Sequence, residues 1–147
     1  MGFGIKMVFA ASMLIVTSMP ILAETPPEDA FQGVWQLSGG EVDGKALSEM
    51  QISGGKLEIN GTGYTFTLAP VGTIVGTQKL GAMRQVNTID ITDETGPHKG
   101  QTCLGIYELD GNEFRVVFAP PGGQRPVKFA TVPESGQWLH VWKRIQE

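Results

Sequence analysis

Few side chains in this sequence have a type and spacing that could do chemistry. His98 and His140 are the two histidines. They stand about forty positions apart, and even with Asp93 and Glu94 near His98 neither has a metal-ligand spacing, so no metal site is expected. Asp93 and Glu94 are adjacent in a predicted loop. They read as solvated charges rather than as a carboxylate pair for acid–base work. Asp90 falls inside a predicted strand, on the face of Val86 and Thr88, where it meets solvent or pairs with Arg84 or Arg115. Cys103 is the single cysteine, with no base beside it, and reads as a small buried hydrophobe rather than a nucleophile. Gly122-Gly123-x-Arg125-Pro126 has the glycines of an anion loop. A phosphate loop, however, needs a helix N-terminus after it, and here Pro126 and another predicted strand follow. Stiff prolines hold Arg125 on both sides, where it could close a barrel mouth or pair with Glu108 or Glu134.

No nucleophile–base pair and no cofactor motif emerges, so no catalytic residue is assigned. An enzyme, using His140 or Asp90, is the least supported class. Binding is better supported. His140 alternates with Trp138 and Trp142 in the last predicted strand, a pattern that can line an apolar cavity carrying a few polar groups. Tyr64, Phe66, Phe118, His140 and Trp142 are the candidate ligand-binding residues. The same aromatics, with Phe114 and Phe129, could instead fill a small barrel completely.

The elements that must position these residues are strands. Tyr64-Thr65-Phe66-Thr67-Leu68 alternates strictly, as a half-buried antiparallel strand does. Residues 102–109 and 113–119 pair across Asp110-Gly111-Asn112, and 138–145 is a closing strand. Residues 71–80 form a glycine-interrupted strand, 85–92 another, and 127–131 a short one. Phe31 to Leu37 opens the domain with Trp35 and Leu37 on one face. A Gly54-Gly55 turn is expected to join Ile52 to Lys56–Asn60 as a hairpin, and helix is allowed only at 46–50. Eight to ten strands with closely spaced turns predict an all-β sandwich or barrel.

The N-terminus has Lys6, then an apolar run from Met7 to Leu22, then Ile21-Leu22-Ala23 before the polar Glu24-Thr25-Pro26-Pro27. This describes a signal peptide over 1–23. A membrane anchor needs about 20 apolar residues, and this run is broken by Thr17, Ser18 and Pro20. Removing residues 1–23 from the 147-residue chain leaves 124. These form a polar linker (24–30) and one domain (31–147). The protein is expected to be exported, periplasmic or extracellular, with no membrane span after processing. The net charge of −4 argues against general nucleic-acid binding.

Gly33-x-Trp35 near the start of the first strand looks like the Gly-x-Trp signature of lipocalin-like barrels. In those a basic residue from the barrel's end lies across the tryptophan, and Arg144 holds that position here. Phe31-Gln32-Gly33-x-Trp35, Asp43-Gly44-Lys45-x-Leu47, Ile89-Asp90-Ile91, Gly105-Ile106-Tyr107-Glu108-Leu109-Asp110-Gly111, Phe118-Ala119-Pro120-Pro121-Gly122, Arg125-Pro126-x-x-Phe129 and Lys143-Arg144 follow in order. Together they resemble a family of uncharacterised secreted bacterial domains, abundant in planctomycetes and described as lipocalin-like. The chain departs from it at Asn87-Thr88, where Pro-Lys is usual, and at Val117, where Cys is common. The resemblance implies a single antiparallel lipocalin-like β-barrel, with Gly33, Trp35 and Arg144 as a structural signature. It carries over no enzymatic activity. Two functions follow: a module binding a small apolar or amphipathic ligand, or a structural or protein-interaction domain of the cell envelope with a filled core.

Overall fold

Alternation of apolar and polar residues, punctuated by two-residue turns, closes this chain on itself. The computed structural model describes residues 28–145, together with Gly2 and Gly4. Apart from Gly2 and Gly4, the expected signal peptide lies outside the described residues. The last residues of the expected polar linker, 28–30, belong to a 3-10 helix, Glu28–Phe31. The strands are β1 (Gly33–Val42), β2 (Lys45–Ala46), β3 (Lys56–Asn60), β4 (Gly63–Leu68), β5 (Gly72–Met83), β6 (Val86–Asp93), β7 (Thr102–Asp110), β8 (Glu113–Phe118) and β9 (Trp138–Arg144). All pairings are antiparallel between neighbours. β9 returns to β1 from Trp35↔Arg144 to Val42↔Trp138, with a register shift between Leu37 and Gly39. β2 pairs only with the last residues of β1. The other eight strands form a closed up-and-down barrel, which removes every free edge.

One end of the barrel is sealed. Phe31 is fully buried and sets its ring edge-on to Tyr107 and Phe114, at centroid distances of 4.9 and 5.4 Å. Trp35 Nε1 donates to the Phe31 carbonyl at 2.9 Å. Arg144 lies over the Trp35 ring, 4.1 Å from its centroid. The same guanidinium donates to the carbonyls of Ala30 and Gln32. Gly33 makes the entry bend at φ +117°, and a side chain there would stand 3.2 Å from Arg144 Nη1. Gly33, Trp35 and Arg144 thus form a latch that holds the 3-10 helix across the barrel floor.

Two segments differ from the sequence reading. Residues 49–54 are a short helix, α1 (Glu49–Gly54), not the arm of a Gly-Gly hairpin. Ser48 caps it and Gln51 completes a capping box. Ser48-x-x-Gln51 is the sequence signature of that box, and it outweighs the glycine pair. Residues 127–131 are not a strand. They belong to a long connection, 119–137, that runs over the outer wall between β8 and β9. Arg125 Nη1 meets Asp90 Oδ1 at 2.6 Å and the Gly105 carbonyl at 2.8 Å. Arg115 lies 4.1 Å from the Phe129 ring centroid. The Thr131 N–H and hydroxyl donate to Glu41 Oε1 at 2.6 and 2.8 Å. Arg125 therefore straps the outer wall rather than closing the mouth, Asp90 pairs with Arg125, and Glu108 pairs with Arg115 at 2.7 Å. Ile106, Val117, Ala119 and Thr131 are buried but lie outside the cluster that fills the barrel. Ile106 and Val117 are paired neighbours on β7 and β8.

Candidate functional site

The barrel interior is not filled. A cavity of about 270 Å³ runs from Phe31 and Phe114 at the sealed floor to Val42, Val71, Pro97 and His98 at the open end. Its walls come from the inward positions of the strands, which alternate with outward ones along the chain. Tyr64, Phe66, Phe118, His140 and Trp142 all line it. Among them Phe66, His140 and Trp142 are in mutual ring contact, and Phe118 belongs to a separate aromatic pair. Phe66 stacks on His140 at 5.6 Å and meets Trp142 edge-on at 6.0 Å. Phe118 packs on Trp138 at 5.4 Å, and Phe114 stacks on Trp142 at 6.4 Å. Phe129 lies outside, against Arg115, and takes no part in the interior.

His140 is buried among these rings. Removal from water disfavours its charged form, and its pKa falls from the ordinary 6.5 to about 4. At neutral pH it is an uncharged imidazole set in an aromatic wall. Cys103 is buried, and burial, then the neighbouring Asp93 charge, push its thiol up to about 11. That suppresses the thiolate and with it nucleophilic reactivity.

The most polar feature of the cavity is one that the sequence reading missed. Asp93 is not a solvated loop charge. It is the last residue of β6, buried and facing the cavity. The Tyr64 hydroxyl donates to Asp93 Oδ1. Burial, then that hydrogen bond and the Asp93 charge, push the Tyr64 phenol far above its ordinary pKa, so it remains a donor. Gly76 makes the contact possible. It pairs with Tyr64 on one side and with Asp93 on the other, so its missing side chain leaves a gap through which the phenol reaches across β5. The signal was present as phase: Asp93 continues the inward series of Ile89 and Ile91, and Gly76 follows Ile74. His98, read as a solvated turn residue, is half-buried and lines the open end.

Chemically, the arrangement is an apolar chamber with a neutral imidazole in its wall and one hydrogen-bonded carboxylate near its mouth. Such a chamber can bind and orient a small molecule. No protein-family model, curated protein or solved structure matches the chain.

Proposed function

We propose that this protein is an exported, lipocalin-like binding barrel that carries a small, mainly apolar ligand in its interior. The observation that carries the reading is the cavity of about 270 Å³, open at one end and walled by aromatic and aliphatic side chains. A chain of this size would be more stable with those positions packed against one another, since unfilled apolar volume costs about 24 cal/mol per Å³. Retaining the space is what a binding role requires. The leader-like residues 1–23 support an exported site of action, in the periplasm or outside the cell. An envelope interaction domain has less support, because it has no use for an unfilled interior.

The test is native mass spectrometry of the protein taken from its own envelope fraction, together with titration of the purified chain with 1-octanol while tryptophan emission is followed. A mass excess lost on denaturation, with saturable quenching by octanol, is expected. A bare mass with no response to octanol overturns the carrier reading.

A further inference from the structure

The cavity's polarity is one-sided. Gln78, Asp93, His98 and His140 are the polar side chains beside Tyr64 in its lining, and among the described residues no lysine or arginine faces it. Asp93 takes part in neither of the two salt bridges among the described residues. A carboxylate accepts at roughly four lone-pair sites, and Tyr64 occupies one of them. A carboxylate held in apolar surroundings with only a neutral donor is costly, and a cation brought against it offsets much of that cost.

Position matters as much as charge. Asp93 ends β6 at the point where the loop carrying Pro97 and His98 departs, and those two residues line the open end. A charged head at Asp93 would therefore stay close to water while its apolar body filled the chamber toward Trp142 and Phe114. The aromatic wall adds a favourable surface for a cation on its way in. An apolar cavity of about 150 Å³ holds one benzene ring. At the same packing, about 270 Å³ takes on the order of ten heavy atoms.

We propose that Asp93 recognises a protonated amine, and that the barrel's ligand is a small amphiphile with a cationic nitrogen at the mouth and an apolar body of about ten heavy atoms inside. The proposal rests on the binding reading above and narrows it to one ligand class.

Octylamine, 1-octanol and octanoate have nearly the same body and differ in head group. Their affinities are measured by calorimetric titration at pH 8, where free imidazole is neutral and an alkylamine is charged. Octylamine is expected to bind at least about tenfold more tightly than octanol, and octanoate more weakly than either. Asp93→Asn should erase the amine preference, bringing the octylamine and octanol affinities together. Tyr64→Phe, which keeps the carboxylate and removes its donor, should retain the preference. Equal affinities for octylamine and octanol in the unaltered protein, or a preference for octanoate, overturn the amine assignment while leaving the carrier reading intact. If none of the three binds, the carrier reading itself fails. The comparison in the unaltered protein decides the matter even if Asp93→Asn does not fold.

Discussion

Tyr64 and Asp93 lie on strands that are not neighbours, yet the phenol of one is hydrogen-bonded to the carboxylate of the other across the bare backbone of Gly76. The contact ties β4 to β6 inside the barrel, past the intervening β5. It also decides the character of the site, because it holds the one buried carboxylate of the cavity at a fixed place. A glycine within a strand usually weakens it. Here the missing side chain is what lets a polar contact cross the wall.

Filling that gap should break the contact. A Cβ at position 76 would overlap the Tyr64 hydroxyl and stand 2.5 Å from the Thr92 carbonyl oxygen. Because the latter is backbone, the strain cannot be relieved by a rotamer change. Gly76→Ala is expected to cost about 2 kcal/mol in urea denaturation, within the usual range for overpacking. Tyr64→Phe, which loses the hydrogen bond without crowding, should cost about 1–2 kcal/mol. Gly76→Ala at full stability would mean that β5 has slack to move.

The floor latch gives a second expectation. Arg144 combines a planar stack on Trp35 with donation to two carbonyls of the incoming chain. Lysine can supply the charge but neither the flat face nor the fork. Arg144→Lys should therefore lose most of what Arg144→Ala loses, about 1–2 kcal/mol, with a shift in Trp35 emission and faster amide exchange at residues 28–32. A lysine variant as stable as the parent protein would reduce the latch to simple charge.

The outer strap is held by Arg125 and Asp90, at 2.6 Å and with both side chains partly buried. A double-mutant cycle between Arg125→Ala and Asp90→Ala is expected to give a coupling of about 1 kcal/mol, above the median for exposed pairs. The same cycle between Arg115 and Asp90 should give none, since Arg115 pairs with Glu108. Coupling in the second cycle and not the first would mean that the strap lies elsewhere in solution.

Much of the barrel was legible because its signal is local. Period-two alternation in β4 and the Gly111-Asn112 turn act over a few residues, so their strands could be placed from sequence. The Arg144–Trp35 contact could be anticipated only through resemblance, because its partners are more than a hundred positions apart. The partner of Asp90 was sought in Arg84 or Arg115 and is Arg125 instead, because the course of the long connection that brings Arg125 across β6 has no local signal. Asp93 was misread because charge suggested a loop, whereas its phase with Ile89 and Ile91 pointed inward. The cavity itself was illegible. Whether aromatic rings meet or leave space depends on the register and stagger of eight strands, which no short window of sequence contains.

The β5–β6 turn violates its own preference, and that can be corrected. Arg84 and Gln85 both have positive φ, 48° and 68°, and join Met83 to Val86 in a two-residue hairpin. That turn favours Asn-Gly, because left-handed backbone is strained for residues with long side chains. Arg84→Asn with Gln85→Gly should raise stability by about 1 kcal/mol, read as a higher thermal midpoint, with ligand affinity unchanged because neither residue lines the cavity. No gain would mean that the present side chains make compensating surface contacts.

His140 makes the stability of the barrel sensitive to acid, and the sign follows from its burial. Its pKa is about 4 in the folded protein and 6.5 for the ordinary side chain. Between those values the unfolded chain binds a proton that the folded protein refuses, so acid favours unfolding. The stabilising effect of a neutral His140 is complete above about pH 6.5, declines as pH falls toward 4, and does not fall further once both states are protonated. The total is on the order of 3 kcal/mol. His140→Phe keeps an aromatic ring against Phe66 and Trp142 and removes the titration. Urea midpoints for the two proteins should run parallel above about pH 7 and diverge below it, the variant holding its stability to lower pH. Every other ionisable group is common to both proteins, so the difference between the curves isolates position 140. Curves that stay parallel down to pH 4 would show that the imidazole is protonated as readily in the barrel as in water, and that its place in the aromatic wall is wet.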